Sequence, residues 1–131
     1  MRYLLDTNVF LWAVAAPEKL NPRARHLLTA DEHDFFLSAA SSWEISIKYS
    51  IGHLHLPEPP AKYVPDRLHK WGFAWLEISQ PHALAVAELP PHHQDPFDRM
   101  LIAQAQLEHM TLLTADRLIT KYNADILWCG K

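Results

Sequence analysis

Cysteine and glycine are scarce in this sequence, and long apolar runs are missing. Cys129 is the single cysteine among 131 residues, so no internal disulfide can form and no oxidising compartment is indicated. Its place near the last apolar segment predicts a small buried side chain. No apolar run approaches the roughly 20 residues that a membrane-spanning helix needs. The sequence therefore predicts a cytoplasmic protein with no membrane association.

Basic residues are outnumbered as well. The chain has 12 Lys and Arg against 15 Asp and Glu, which gives a formal net charge of −3. This balance argues against a protein that coats nucleic acid, because such proteins carry a basic patch. An enzyme that cuts nucleic acid with bound metal is still compatible with it, because the metal offsets the negative charge of its own ligands.

Short β-like runs alternate with helix-like stretches along the whole chain. The runs lie at about Arg2–Leu5, Phe35–Ser38, Trp75–Ile78, Thr111–Thr114 and Asp125–Trp128. The helix-like stretches lie at Val9–Ala15, Pro22–Ala30, Ser42–Ser50, Pro60–Trp71, Gln80–Glu88 and Pro96–His109, with a short turn over Asp116–Lys121. This alternation predicts βαβ units. We expect residues 1–131 to form one α/β domain, with a mainly parallel sheet of about five strands covered on both faces.

Aromatic residues and histidines are predicted to be structural. Trp43, Ile47 and Ile51 recur at helical spacing and predict one buried stripe. The other core candidates are Trp12, Trp71 and Trp128, so no exposed aromatic platform for stacking bases is expected. None of the nine histidines shows zinc-ligand spacing backed by cysteine. They are predicted to be surface or loop-packing residues, including His92 and His93.

Four acidic residues fall where an apolar run ends and a helix-like stretch begins. They are Asp6, Glu44, Asp98 and Asp116. Strand ends of a parallel sheet lie along one edge, and ligand sites of open α/β sheets lie there. Carboxylates gathered at one point repel one another, so such a cluster favours a bound cation. Oxygen ligands without sulfur suit Mg²⁺ or Mn²⁺, and such ions activate water for phosphodiester hydrolysis.

Each acid also fits a purely structural role. Asp6 and Asp116 precede helix-like stretches, where either would serve as an N-cap. The segment from Ser41 to Glu44 fits a capping box, with Glu44 returning a hydrogen bond to the Ser41 backbone. Glu44 is also spaced to pair with Lys48 one helical turn later. The ordered set of four, rather than any one acid, is what indicates a metal site.

The motifs around these acids resemble those of the PIN-domain nucleases, in particular the toxins of VapBC-type toxin–antitoxin pairs. The matching segments are YLLDTNVFLW, SSWEISIKYSIGHLHLP, HHQDPFDRMLIAQA and LLTADRLI, in the family's order and over nearly the entire chain. The resemblance implies a three-layer α/β/α fold and an endoribonuclease that depends on Mg²⁺ or Mn²⁺. It also implies RNA as substrate, a cognate antitoxin that occupies the active-site groove, and usually a homodimer.

By the same resemblance, Asp6, Glu44 and Asp98 match the three acids that bind metal most consistently. Asp116 matches a fourth, more variable acid, and Thr114 matches a frequent hydroxyl near the site. All four acids are therefore predicted to be catalytic metal ligands.

Three neighbouring residues are further candidates. Asp95 precedes Pro96 and is expected to cap a helix or to contribute to the site. Arg99 and Arg117 each follow a site acid and would contact RNA phosphates or tether the carboxylates, since arginine suits planar bidentate contacts to either.

Two other functions compete with the nuclease. An aspartate-nucleophile phosphatase requires a second Asp two residues after the first, and Asn8 stands there. A non-catalytic PIN-like module that only binds a protein partner is the other alternative. The intact set of acids disfavours this alternative, and a neighbouring short reading frame for a DNA-binding antitoxin would favour the toxin.

Overall fold

Five parallel strands form one sheet in the order β3-β2-β1-β4-β5. The computed structural model describes all 131 residues. The strands are β1 Arg2–Leu5, β2 Asp34–Ser38, β3 Ala74–Leu76, β4 Thr111–Thr114 and β5 Ile126–Trp128. In the centre, Leu5 is in register with Leu37 of β2 and Leu113 of β4. All five carboxyl ends therefore lie along one edge, which confirms the predicted parallel sheet.

Six α-helices cover the sheet. They are α1 Thr7–Ala15, α2 Pro22–Leu28, α3 Ala39–Ser50, α4 Pro60–Trp71, α5 Gln80–Ala85 and α6 Pro96–Glu108. Short 3₁₀ turns span Pro17–Lys19, Val86–Glu88 and Ile119–Lys121. The predicted helices over 80–88 and 116–121 thus include 3₁₀ segments. None of the helices combines the length and the apolar character that crossing a bilayer requires.

Two separate apolar cores give the three-layer α/β/α arrangement. Leu5, Leu37 and Leu113 point to one face, where they pack with α1, α2 and α4. Leu4 and Leu112 point to the other face and pack with α6. Successive strand residues alternate between faces, so both sides of the sheet need a helical cover. The three-layer fold implied by the family resemblance is confirmed.

Helix α3 begins earlier than predicted. Ser38, the last residue of β2, is its N-cap and accepts a hydrogen bond from the Ala40 N–H at 3.0 Å. The proposed capping box from Ser41 to Glu44 is therefore wrong. Glu44 lies in the second turn of α3, where backbone N–H groups are already paired within the helix. Its side chain is consequently available for other contacts.

The predicted buried stripe on α3 is also wrong. Trp43 is 61% exposed and Ile51 57% exposed, and Ile47 is exposed as well. The buried face of α3 instead carries Ser41, Glu44, Ile45 and the small Ala40. The other tryptophans predicted to be core residues, Trp12, Trp71 and Trp128, are only partly buried, and Trp75 is 63% exposed. The predicted burial of Cys129 is confirmed.

Candidate active site

Asp6 lies directly after the central strand β1 and is almost fully buried. Its Oδ1 accepts a hydrogen bond from the Val9 N–H at 2.7 Å, so it does cap α1. Its Oδ2 accepts from the Thr114 hydroxyl at 2.5 Å. Burial raises the pKa of this carboxyl to about 6, although these donors and the Ala115 N–H pull it down. Asp6 is therefore a helix cap, and it is also a carboxyl group whose charged form is disfavoured by burial.

Glu44 reaches the same edge of the sheet from α3. Its Oε1 accepts a hydrogen bond from the Thr7 hydroxyl at 2.6 Å, and its Oε2 lies 2.5 Å from Lys48 Nζ. Thr7 has one hydroxyl hydrogen and lies 2.9 Å from Ser41 Oγ as well, so it donates to the carboxylate and accepts from Ser41. The predicted pairing of Glu44 with Lys48 is observed.

Lys48 faces the acidic cluster. Its hydrogen bond to Glu44 raises the pKa of the ammonium, and the charges of Glu44, Asp95 and Asp98 raise it further. The side chain is about half exposed. Lys48 thus places one fixed positive charge at the margin of the carboxylates.

Asp98 lies in the first turn of α6, which Asp95 caps by accepting from the Phe97 and Asp98 N–H groups. Burial raises the pKa of Asp98 to about 7, and the charges of Asp95, Asp6 and Glu44 raise it too. The charges of Asp6 and Glu44 therefore reach Asp98 from other elements. This mutual repulsion is the electrostatic signature of a site that a cation would relieve.

Asp116 follows β4 and is more open than the other three acids. Its Oδ1 accepts from the Leu118 N–H at 2.9 Å, and its backbone N–H donates to Thr114 Oγ1 at 3.0 Å. Its Oδ2 lies 2.8 Å from His93 Nε2, and Asp98 Oδ2 lies 3.0 Å from the same nitrogen. Ligand atoms of His93, Asp98 and Asp116 all lie within 4.8 Å of one another.

The structure therefore divides the predicted site residues into two halves. Asp6 and Glu44, with Thr114, form a half held by hydroxyl groups. Asp98 and Asp116 form a half that meets at His93. The donor set consists mainly of carboxylate oxygens, several of them buried and mutually repelling, and it fits a hard divalent cation.

Neither candidate arginine contacts a site carboxylate. The Arg99 guanidinium donates to the backbone carbonyls of Pro90 and Val86 at 3.0 Å and is used to hold the loop before α6. Arg117 lies over the Trp128 ring, 4.7 Å from its centroid, and is exposed. The expected tethering of the acids by arginine is not observed.

Sequence reasoning missed Thr7 and His93 as residues of this site, and it gave Lys48 only a structural pairing with Glu44. Thr7 and Lys48 follow site acids by one and four positions, and that spacing was the available signal for them. His93 was expected to be a surface or loop-packing histidine, yet its ring lies between two site acids and is 9% exposed. Its doublet with His92 in HHQDPFD was visible, but no spacing rule marked it as part of the site.

The whole-chain comparisons agree with this architecture. The crystal structure of VapBC2 from Rickettsia felis, bound to a DNA fragment from its promoter, is similar with a TM-score of 0.74 and 16% sequence identity. The similarity covers 99% of this chain and 100% of that one. FitAcB from Neisseria gonorrhoeae has a TM-score of 0.65 and 21% identity, over 95% of this chain and 96% of that one. At these identities, the likeness shows the fold alone.

Sequence comparison places the chain in a family. Ribonuclease VapC16 of Mycobacterium tuberculosis is 48% identical over 50 residues, which are 38% of this chain and 36% of that protein. The match thus spans about a third of that relative's length. The PIN domain family model matches residues 3–124, which include all four site acids. The chain belongs to the PIN domain family.

Proposed function

We propose that this protein is a VapC-like endoribonuclease that depends on Mg²⁺ or Mn²⁺ and acts on RNA in the cytoplasm as the toxin of a toxin–antitoxin pair. One observation carries the proposal. Acids from four separate segments lie at the carboxyl edge of the sheet, and the pKa of Asp98 is raised by burial and also by the charges of Asp95, Asp6 and Glu44. Folding such repelling groups together is costly unless a cation is bound. The similarity to a ribonuclease supports RNA as the substrate.

In this proposal, Asp6, Glu44 and Asp98 hold the divalent ion, and Asp116 supports them. A bound divalent ion supplies a water of lowered pKa and neutralises charge on the phosphate. Thr114 keeps the Asp6 carboxylate oriented through its short hydrogen bond. Thr7 does the same for Glu44. Preorganised ligands of this kind reduce the rearrangement that metal binding requires.

Two positive groups are available to the substrate. Lys48 is half exposed beside Glu44, and Arg117 is exposed one residue after Asp116. We propose that these two side chains contact RNA phosphates. Arg99 is not assigned this role, because its guanidinium already donates to backbone carbonyls.

The test of the nuclease is cleavage of total cellular RNA by the purified protein with Mg²⁺, with Mn²⁺ or with EDTA. We expect discrete fragments that require metal and vanish in Asp98→Asn. Asp31→Asn is the matched control, because Asp31 is an exposed turn residue outside the site. If the folded protein, free of antitoxin, gives the same RNA pattern with metal and with EDTA, the catalytic proposal is wrong and the binding module replaces it.

We further propose a homodimer and a cognate antitoxin as partners. The toxin–antitoxin complexes among the structural neighbours support the antitoxin. An exposed apolar stripe on α3 and its C-cap, formed by Trp43, Ile47 and Ile51, offers a protein partner a surface beside Glu44. Trp43 also packs edge-on against Phe97, at 5.2 Å between ring centroids. An antitoxin seated there would lie next to two of the site acids.

Co-expression with the product of an adjacent short reading frame tests the partner. We expect a complex that co-purifies and no longer cleaves RNA, and sedimentation of the free protein as a dimer. Absence of a complex, with both proteins folded, would contradict the antitoxin assignment without affecting the nuclease test.

A further inference from the structure

His93 presents its two ring nitrogens to opposite kinds of partner. Nε2 lies 2.8 Å from Asp116 Oδ2 and 3.0 Å from Asp98 Oδ2. Nδ1 lies 3.2 Å from the backbone nitrogen of Asp95. The Asp95 group is an N–H, which can only donate. Nδ1 must therefore present a lone pair to it.

The ring hydrogen of His93 is consequently on Nε2. A neutral imidazole carries one hydrogen, and the nitrogen that accepts a hydrogen bond is the one without it. The Nε2–H therefore donates to Asp116, and its positive end also faces Asp98. A metal-binding imidazole needs the reverse, a lone pair at the metal and an N–H at the outer nitrogen. His93, Asp98 and Asp116 thus have the spacing of a three-ligand metal site. The His93 tautomer does not suit such a site, because its Nε2 carries a hydrogen where a metal would need a lone pair.

We propose that His93 is a positioning residue, which holds the Asp116 carboxylate against Asp98 and is not itself a metal ligand. The inference rests on the proposed function for the metal that these acids serve. In this arrangement both oxygens of Asp116 have protein donors, Leu118 N–H and His93 Nε2–H. Asp98 keeps its other oxygen for the cation. Asp98 is then the direct ligand of this half, and Asp116 acts through its position and charge.

The loop that carries His93 is built to keep the ring in place. The His93 backbone N–H donates to the Tyr122 hydroxyl at 2.8 Å, and that hydroxyl donates to the Pro90 carbonyl at 2.8 Å. Arg99 donates to the carbonyls of Pro90 and His93, at 3.0 and 3.3 Å. Asp95 contributes twice, because its N–H fixes the tautomer and its carboxylate caps α6. The start of α6 and the orientation of His93 are therefore set together.

The tautomer is measured by long-range nitrogen–proton NMR of the metal-free protein labelled with ¹⁵N at histidine. We expect the His93 ring to carry its hydrogen on Nε2 only, with the signal assigned by its loss in His93→Gln. His92→Gln is the matched control, since His92 is exposed on the same loop and contacts the Tyr122 ring rather than a carboxylate. A hydrogen on Nδ1, in a neutral or doubly protonated ring, would overturn the inference.

Whether His93 coordinates the metal directly is measured with Mn²⁺ as the probe. Electron spin echo envelope modulation of the bound ion reports a directly coordinated imidazole nitrogen. We expect none, in the wild-type protein and in His93→Gln alike. A nitrogen coupling that is present in the wild-type protein and lost in His93→Gln would make His93 a ligand and refute the positioning role.

The affinity of His93 variants for Mn²⁺ then shows whether His93 acts by positioning Asp116 or only by packing in its loop. His93→Ala should weaken binding about tenfold or more, as losses of outer hydrogen-bond partners do. His93→Gln should restore most of the affinity, because its amide N–H can replace Nε2–H toward Asp116. Equal losses in the two variants, with both folded, would contradict the proposal. If all three measurements agree with it and the wild-type protein cleaves no RNA, the nuclease proposal alone is wrong.

Discussion

The two halves of the carboxylate cluster are stabilised in different ways. Asp6 and Glu44 are buried and each receives a short hydrogen bond from a threonine hydroxyl, Thr114 and Thr7 respectively. Asp98 and Asp116 share a histidine and are more open to solvent. Asp6 and Glu44 are held by threonines of β4 and α1. Asp98 and Asp116 depend instead on the loop that carries His93. We expect the two halves to respond differently to the same substitutions.

The largest expected difference concerns catalysis. Asp6→Asn should lower kcat/KM for RNA cleavage by roughly 10²-fold or more, since losing one preorganised electrostatic group commonly costs this much. Asp116→Asn should cost clearly less, on the order of tenfold, because in our proposal it does not bind the ion directly. Single-turnover cleavage at saturating Mg²⁺ measures both variants. Equal losses would mean that the two halves contribute alike.

The next effect is a pH-dependent response to metal. The pKa of Asp6 is raised to about 6 and that of Asp98 to about 7, so both hold protons in the native state that they would lose on unfolding. Their contribution to the stability of the metal-free protein is full below their ordinary pKa of 3.8 and is lost as the pH rises to about 7.

Metal binding requires the ionised carboxylates, so stabilisation by Mg²⁺ should grow over the same pH window. At about 100 times the dissociation constant it should reach about 2.7 kcal/mol near pH 8 and be much smaller near pH 5. Thermal unfolding with Mg²⁺ and with EDTA measures the difference. In Asp98→Asn most of the stabilisation by Mg²⁺ should be lost, and the fall in stability of the metal-free protein between about pH 4 and pH 7 should become smaller. An unchanged pH dependence of the metal-free protein would show that Asp98 is not a responsible group.

A smaller effect is expected at the hydroxyl that supports Asp6. Thr114→Val keeps the shape of the side chain but leaves a buried carboxylate oxygen without its main donor. The free energy of unfolding should fall by about 1.5–3 kcal/mol near pH 7, as measured by urea denaturation. Thr120→Val is the control, because Thr120 is exposed and bonds only the Arg117 carbonyl. Similar losses in both variants would contradict the support role of Thr114.

The smallest expected effect on stability is at the exposed stripe of α3. Trp43→Ala should change the free energy of unfolding by less than about 0.5 kcal/mol, since Trp43 is 61% exposed. Ile45→Ala, on the buried face of the same helix, should cost about 2–5 kcal/mol. The proposed antitoxin should nevertheless bind Trp43→Ala more weakly, as calorimetry would measure. Unchanged antitoxin affinity would remove the stripe from the interface.

The sequence was sufficient to predict the elements and the edge on which the acids lie. Strand β1 and helix α4 have the predicted bounds, because apolar runs and proline or glycine at the ends define them locally. Asp6 and Asp95 were correctly expected to cap helices. These features depend on neighbours within a few residues.

What could not be predicted depends on distant contacts. Periodicity places Trp43 and Ile47 on one face of α3, but which face is buried depends on where the helix meets the sheet. The sequence also allows Glu44 a capping role beside its predicted role as a metal ligand, and only the structure shows that Ser38 is the N-cap. His93 has its orientation from Tyr122 and Arg99, and nothing in its immediate sequence specifies that.

The central place of β1 has a consequence for synthesis. Strand β1 pairs with β4, which is synthesised much later than β1, and the Thr114–Asp6 hydrogen bond joins positions 108 residues apart. A growing chain therefore lacks both the hydroxyl that orients Asp6 and the last site acid until residue 116 has been added. Such long-range closure is slow compared with local folding. Under the proposed function, a chain that ends before Asp116 lacks a complete set of site acids, so nuclease activity would arise only after translation has passed β4.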